Sequence, residues 1–280
     1  KKRLDADGYL TEDFELLESF RNSLRKLQDI ERLSSKVSSG TANARDLLAI
    51  KNTLLNIPKI KKSLSDSREP FLKSLSGEMS ESSLLREHLE KSIADNPPLS
   101  IKEGGIIRGK YNKETDELRN LTTKGRDFIS EMELREKKRT GISSLKIGFN
   151  KIFGFYIEIT KPNLDMVPED YIRKQTLVSC ERFITPELKE YESKVLGAEE
   201  RLRNLEYEIF LEILEAVKEE TDQLLKTANA LATADFLSSL SVTAKRYNYS
   251  RPLLAEESII EISDGRHPVL ERILTERFIP

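Results

Sequence analysis

The stretch SSLKIGFNKIFGFYIEIT, residues 143–160, decides the fold because it places β-forming residues inside an otherwise helical sequence. Apolar residues alternate with polar or small ones from 145 to 149, which is typical of a strand with one buried face. After Asn150 and Lys151, the run 153–159 is rich in aromatic and β-branched residues. We therefore expect two neighbouring strands here.

A third strand is expected from the alternation at residues 177–184. It would carry two sets of side chains on opposite sides, namely Val178, Cys180, Arg182 and Ile184, against Leu177 and Phe183. Together, residues 143–184 are predicted to form a small β-rich unit.

Long helices are predicted on both sides of this unit. The first runs from about Glu114 and stops at Gly141. The second opens at Pro186, with Thr185 as its cap, and an unbroken course to about Lys226 would reach roughly 60 Å. Apolar residues at three-and-four spacing mark a packing seam on each helix: Leu118, Leu121, Gly125, Phe128 and Met132, then Leu188, Tyr191, Val195, Ala198, Leu202, Leu205, Ile209 and Ile213.

One seamed helix leads out to the β unit and the other leads back, so we expect the two to pack antiparallel as a stalk. A coiled coil between two chains would also explain the seams. Pairing within one chain is the favoured interpretation, because it costs less entropy than bringing two chains together.

The remainder of the chain is predicted to be mostly short helices. Residues 14–30 carry an apolar stripe, Asn43 can cap the next helix, and Pro58 can open another. A final helix is expected over Thr227–Arg246, and the alternation at 260–262 predicts a strand. The predicted fold class is mainly α: a helical bundle with a long antiparallel helical lever and a small inserted β-rich domain.

The composition argues against self-contained catalysis. The chain has 280 residues, a net charge of −2, two histidines and one cysteine, Cys180. Neither histidine has an i,i+4 partner of the kind a metal site uses, and there is no CxxC motif and no GxxxxGK[ST] phosphate loop. We expect no catalytic residue, metal or cofactor in this chain.

Location and completeness can also be read from the sequence. No apolar run approaches the roughly 20 residues of a membrane-spanning helix, and no signal peptide opens the chain. A single cysteine needs no oxidising compartment, so we expect a cytoplasmic protein. The chain begins with Lys1 and Lys2, inside a helical pattern, and is expected to be a segment of a longer protein.

Positive charge is concentrated on the predicted β unit. Residues 137–161 contain six cations and a single acid, Glu158, and Arg173, Lys174 and Arg182 follow. Such cations can displace counterions from DNA phosphates regardless of sequence, although lysines that merely solubilise a small sheet would give the same pattern. No helix rich in Arg, Asn and Gln is placed to enter a major groove, so base-specific reading is not expected.

Several separate blocks closely resemble bacterial MutS-type mismatch-repair proteins, in the same order and spacing. They are DIERL (29–33), ARDLL (44–48), GGIIRGKYNKETDELR (104–119), KRTGI (138–142), the stretch 143–160, VPEDYIRKQTLVSCERFITPELKEYESKVLGAEE (167–200) and DGRHPVLE (264–271).

This resemblance implies four segments. Residues 1–125 and 186–248 correspond to a helical core and lever, 126–185 to an inserted DNA clamp, and 249–280 to the beginning of an ATPase domain. In the family, the two clamps of a dimer close over duplex DNA and hold its backbone. The levers relay the nucleotide state of the ATPase domains to those clamps.

The partners implied by the resemblance are double-stranded DNA, bound through its phosphates, a second copy of the parent protein, and a MutL-type protein. ATP and magnesium are expected for the parent and not for this chain, because the phosphate loop would lie beyond Pro280. The family's N-terminal mismatch reader is not in the sequence either. The pair His267 and Pro268 is interpreted as a structural turn.

The family's clamp contacts fall in the segment that matches residues 173–179 and at the hairpin of Asn150 and Lys151. Val178 and Ser179 stand where relatives have Lys and Asn, which changes part of that contact. The candidate DNA-binding residues are Lys146, Asn150, Lys151, Arg173, Lys174, Gln175, Thr176 and Ser179. The alternative to a DNA-holding fragment is a structural stalk whose β tip binds a partner protein.

Overall fold

The structure, a computed structural model, describes residues 1–150 and 154–273, and for residues 124–127 the backbone alone. The helices of this part are α1 (Lys2–Glu12), α2 (Phe14–Leu24), α3 (Ile30–Ser38), α4 (Ala44–Leu54), α5 (Ile57–Ser65), α6 (Pro70–Glu78), α7 (Ser83–Ser92), α8 (Lys113–Thr140), α9 (Pro186–Glu219), α10 (Thr221–Tyr247) and α11 (Leu270–Ile273). The strands are β1 (Lys146–Asn150), β2 (Gly154–Thr160), β3 (Ile172–Thr176) and β4 (Cys180–Ile184), with a 3₁₀ turn over Lys161–Met166. The mainly α fold class with a small β insert is confirmed.

Helices α1–α7 form a bundle around α10 and the last turns of α9, which we call the base. Its core is one apolar cluster that includes the fully buried Phe20 and Phe210. Local signals placed several of its helices correctly. Asn43 caps α4 through Oδ1, which accepts from the N–H of Asp46 at 3.0 Å, and the Asp46 carboxylate in turn accepts from the Asn43 N–H at 3.0 Å. Pro58 lies in the first turn of α5, as expected.

The stripe predicted over residues 14–30 is divided between two helices. α2 ends at Leu24 and α3 begins at Ile30, with the Asp29 carboxylate capping its first turn. Because the intervening turn redirects the chain, Leu17, Phe20 and Ile30 are still buried in the base, whereas Phe14 is 46% exposed. Apolar spacing alone does not show such a turn.

Helices α8 and α9 pack against each other, and we call this pair the lever. α8 ends where predicted, at Gly141, whose φ of 74° is readily adopted by glycine alone. Thr185 caps α9, its hydroxyl accepting from the N–H of Leu188 at 3.1 Å. Contacts between Phe128 and Tyr191, near the β unit, are followed by contacts between Arg119 and Glu206 near the base, so the pair is antiparallel.

Two details of the predicted lever were wrong. The long helix does not continue to Lys226: α9 spans 34 residues and ends at Glu219, and α10 begins at Thr221. The break at Glu220 allows Val217 and Leu224, both fully buried, to pack into one base core. Leu121, predicted in the seam, is 59% exposed.

The four strands form an antiparallel sheet in the order β1-β2-β4-β3, which we call the clamp sheet. One face packs against the lever and the 3₁₀ turn. This second apolar cluster consists of Met132, Ile142, Leu145, Ile157, Ile159, Tyr171, Phe183 and Leu188, with six half-buried neighbours. It is separate from the base core, although the exact domain limits remain predictions.

Two strand predictions need correction. β3 was not predicted as a strand, because its sequence IRKQT has a single apolar residue and its side chains are mostly exposed. Backbone pairing with β4, which composition does not reveal, makes it an edge strand. Conversely, residues 260–262 form no strand within the described range. Ile260 and Ile262 are 89% and 74% exposed there and have no partner strand. Val178 lies in a turn and not in β4, and is 92% exposed.

Candidate nucleic-acid interface

The strand order divides the candidate residues between the two edges of the clamp sheet. Lys146 and Asn150 lie on edge strand β1, whereas Arg173 to Thr176 form most of the opposite edge strand β3. Three inter-strand spacings separate these edges, or about 14 Å. Lys151 lies outside the described residues. The candidates on the described strands therefore form two groups flanking the sheet and not one continuous cluster.

The face of the sheet that points away from the lever carries a polar row across all four strands. Lys146 lies opposite Glu158, Glu158 opposite Arg182, and Arg182 opposite Gln175. Arg182 Nε donates to Glu158 Oε2 at 3.1 Å, and its Nη1 donates to Gln175 Oε1 at 3.1 Å. The row links the two candidate groups through neighbouring side chains.

Tyr156 occupies the middle of the same face. The Arg182 guanidinium lies 4.1 Å from the centroid of its ring, a cation–π contact. On the other side is Gly148, where a Cβ would come within 2.7 Å of the ring. Only glycine leaves the ring this space. Tyr156 thus packs between Arg182 and Gly148 on the outer face of the sheet and is not part of the apolar cluster on the inner face.

A β-bulge reshapes edge strand β3. The pairing with β4 shifts between Arg173 and Gln175, so Lys174 is the extra residue of the bulge. Lys174 is exposed. Bulges at sheet edges re-aim side chains and prevent further strand addition. β3 therefore presents its polar side chains to solvent and is a poor template for another strand.

Ser179 lies in the turn between β3 and β4. The turn is closed by the Leu177 N–H, which donates to the Cys180 carbonyl at 2.9 Å, and the Ser179 carbonyl accepts from the N–H of Lys161 at 3.1 Å. Ser179 itself is exposed. Its hydroxyl is accordingly available at the same end of the sheet as Thr176.

The positive charge is more compensated than the sequence count indicated. Arg139 forms an ion pair with Asp170 at 3.1 Å, Arg182 with Glu158, and Arg173 Nε lies 2.8 Å from the buried carboxylate of Glu181. The sequence count included Glu158, but beyond position 161 it named only cations and so left out Asp170 and Glu181. Among the described residues, the exposed cations of the clamp without an ion pair are lysines, among them Lys138, Lys146 and Lys161.

Four glutamates that the sequence reasoning missed anchor the clamp and the lever. Glu133 of α8 accepts the Ile147 N–H at 3.0 Å, and Glu192 of α9 accepts the Phe155 N–H at 2.6 Å. The other two are Glu136, which is buried against Tyr171 and Arg139, and Glu206, which is fully buried in α9. From the sequence, a glutamate on a long helix is expected to be exposed to solvent. Only the tertiary packing reveals that these four contact other elements.

The surroundings of Glu133 and Tyr171 shift the pKa values of both groups. Partial burial of Glu133 raises its pKa, but the Ile147 N–H and the Lys137 ammonium outweigh that effect, so the pKa lies below its ordinary value. For Tyr171, burial and the hydrogen bond to Glu136 at 2.8 Å raise the pKa of the phenol. Near neutral pH, Glu133 is therefore a carboxylate anion that accepts from the Ile147 N–H, and Tyr171 is a neutral phenol that donates to Glu136.

At the base of the lever, Glu206 joins three elements. Its Oε1 accepts from Arg119 Nη2 of α8 at 2.7 Å, and its Oε2 accepts the backbone N–H groups of Gly105 and Ile106. Gly104, with φ of 79°, brings this loop close to Arg203 of α9. The lever is thus fastened at both ends by carboxylates.

The described residues include neither a membrane-spanning helix nor a cluster of metal-binding side chains. None of their helices is long and apolar enough to cross a membrane. No group of three or more His, Cys, Asp or Glu side chains is arranged there to hold a metal ion.

Comparison with known proteins gives a consistent result. Residues 110–201 match the family described as MutS family domain IV. The chain is 49% identical over 282 residues to the DNA mismatch repair protein MutS of Pelotomaculum thermopropionicum, covering 100% of this chain and 33% of that protein. The MutS proteins of Halothermothrix orenii and Acetivibrio thermocellus are each 47% identical, over 99% and 100% of the chain. The chain spans about a third of the length of the curated relatives it matches.

Proposed function

The chain belongs to the MutS family of DNA mismatch repair proteins, and on that premise we propose that its clamp sheet holds duplex DNA by the phosphate backbone. The observation that carries this proposal is the polar row from Lys146 to Gln175, with candidate residues on both flanking edges. Amides, hydroxyls and ammonium groups of this kind bind phosphate oxygens without reading bases.

The dimensions of the sheet suit a duplex. The two edges are about 14 Å apart, which is comparable to the roughly 12 Å width of the major groove. Lys146 on β1 and Lys174 on β3 can therefore contact phosphates on opposite sides of one groove. The face between them carries no helix that could enter the groove. The contact is expected to be non-specific.

Salt dependence tests phosphate binding. Each phosphate contact contributes about −0.9 to the slope of log affinity against log salt, so four contacts would weaken binding roughly a hundredfold between 50 and 200 mM salt. Fluorescence anisotropy of a labelled duplex measures this. Affinity that does not change over that range contradicts the proposal.

Charge reversal tests the residues. Lys146→Glu and Lys174→Glu are each expected to weaken binding several-fold and to reduce the salt slope by about 1. The loss should be equal for matched and mismatched duplexes. Lys226→Glu, at an exposed position of α10 in the base, is the matched control and should change binding little. A preference of the chain for mismatched DNA would argue against backbone holding.

The wider role of the parent protein forms the rest of the proposal. We infer that this chain is non-catalytic, and that its lever couples clamp position to an ATPase domain that binds ATP and magnesium. We further infer that the parent works in the cytoplasm as a homodimer and contacts a MutL-type protein. The support is family membership together with a lever fastened at both ends.

One observation favours the alternative of a protein-binding tip. Arg139, Arg173 and Arg182 are all engaged by acids of the clamp, which lowers the charge available for phosphates. A tip that binds protein would show no duplex binding at low salt, and the Lys146 and Lys174 reversals would have no effect on DNA. The anisotropy titration therefore separates the two functions.

A further inference from the structure

Two lever glutamates hold the backbone of the β1–β2 hairpin where the clamp sheet offers no partner strand. β1 is an edge strand, and its Ile147 N–H donates to Glu133. β2 pairs with β4 only from Ile157 onward, and the Phe155 N–H, just before that pairing begins, donates to Glu192. Carboxylates on two different helices thus accept the backbone N–H groups that a neighbouring strand would otherwise accept.

We propose that Glu133 and Glu192 are positioning residues, which set the orientation of the β1–β2 hairpin relative to the two lever helices. This inference rests on the proposed function, because the hairpin carries the candidate phosphate contacts Lys146 and Asn150. Glu133 belongs to α8 and Glu192 to α9. A sliding movement between those helices would therefore act on the hairpin through both bonds.

The geometry around each carboxylate supports a built contact. Charge-assisted hydrogen bonds are about twice as strong as neutral ones. Glu133 is oriented by Lys137, whose Nζ donates at 2.7 Å from the next turn of α8. Glu192 approaches Gly154 so closely that a Cβ there would clash with its carboxylate, and the φ of 75° at Gly154 suits glycine.

Aromatic contacts place the hairpin against the same point of the lever. The Phe155 ring lies 5.0 Å from that of Phe149 and 6.3 Å from that of Tyr191, which in turn stacks on Phe128 at 4.3 Å. These contacts bring β1, β2, α8 and α9 together, but ring pairs accept a wider range of arrangements than a hydrogen bond does. The two carboxylates supply the direction.

The charge of Glu192 gives the test a clear sign. A carboxylate beside a phosphate-binding hairpin repels DNA, so electrostatics alone predicts tighter binding when it is removed. Positioning predicts the reverse. Glu192→Ala and Glu133→Ala are expected to weaken duplex binding about fivefold, measured by anisotropy of the 280-residue chain at low salt.

Three further variants sharpen this comparison. Glu192→Gln should restore binding, because its amide oxygen still accepts the Phe155 N–H, whereas Glu192→Asp keeps the charge but cannot reach and should remain weak. Glu190→Ala is the matched control. Glu190 lies on the same helix and contacts only Lys194 in the next turn among the ion pairs of the described residues, and its replacement removes the same charge. It should bind DNA as well as the unaltered chain or slightly better.

Amide hydrogen exchange without DNA tests the hairpin independently of its function. The Phe155 amide in Glu192→Ala or Glu192→Asp, and the Ile147 amide in Glu133→Ala, should exchange on the order of tenfold faster. Amides of α10 should not change. If the unaltered chain does not bind duplex, the proposed function fails, and exchange still decides whether the glutamates hold the hairpin.

Two results would overturn the positioning role. One is duplex binding by Glu192→Ala and Glu133→Ala that is as tight as, or tighter than, that of the unaltered chain. The other is unchanged exchange at Phe155 and Ile147. If an alanine variant fails to fold, as shown by loss of its thermal transition, Glu192→Asp decides the matter, because it preserves charge and nearly preserves volume.

Discussion

Single residues in this protein are constrained by neighbours far away in the chain. Gly154 is an example: in sequence it is one small residue in a β-forming run, and a strand can contain a glycine for many reasons. In the structure it has φ of 75° and lies against the carboxylate of Glu192, 38 positions along the chain. Both constraints exclude a side chain at this position.

Replacing Gly154 with Ala should therefore destabilise the protein by about 1–3 kcal/mol, since it combines left-handed backbone strain with displacement of Glu192. Gly197→Ala is the matched control. It lies inside α9 with nothing within 4 Å of an added Cβ, and should stabilise by about 0.5–1 kcal/mol. Thermal or urea unfolding measures both. Equal effects of the two substitutions would refute this account of Gly154.

At the scale of elements, helix ends were predictable and helix continuity was not. Thr185, Asn43 and Gly141 act through bonds within a few residues, so their sequence signals are complete in themselves. The break at Glu220 has no such signal. It is accompanied by tertiary packing, since Val217 before it and Leu224 after it are both fully buried in the base core.

The cap of α9 makes an element-scale prediction. Thr185→Ala removes the acceptor of the Leu188 N–H and should cost about 1 kcal/mol of unfolding free energy. Thr243→Ala, at an exposed position inside α10 where the hydroxyl only donates to the Ser239 carbonyl, should change stability by less than about 0.5 kcal/mol. Chemical denaturation compares the two. A cost at Thr185 no larger than that at Thr243 would show that α9 does not depend on this cap.

For the whole molecule, the important feature is that its two apolar clusters are separate. The base core is built from α1–α7, α9 and α10, whereas the clamp cluster uses residues between 128 and 188 only. The lever is the connection between them. A local opening of the clamp therefore need not disrupt the base.

Phe183→Ala tests this separation. Phe183 is 3% exposed in the clamp cluster, and its truncation should cost about 3–5 kcal/mol. Hydrogen exchange should then accelerate strongly in β1, β2 and β4 while the amides of α4 keep their protection. Phe236→Ala, 53% exposed on α10, is the control and should affect neither region. Loss of protection in both regions together would show that the clamp and base unfold as one unit.

The sequence by itself determined the mainly α class, the small β insert, the antiparallel lever and the family, because periodicity, caps and motif blocks are local properties that can be read along the chain. Only the tertiary structure decided that the described candidates fall on two sheet edges and the β3–β4 turn, that Lys174 is a bulge residue, and that Arg173 and Arg182 have acid partners. It also revealed Glu133 and Glu192 as backbone acceptors. Strand register and ion pairing join residues that are far apart in the sequence. The local sequence around each residue does not indicate which of these distant partners it will contact.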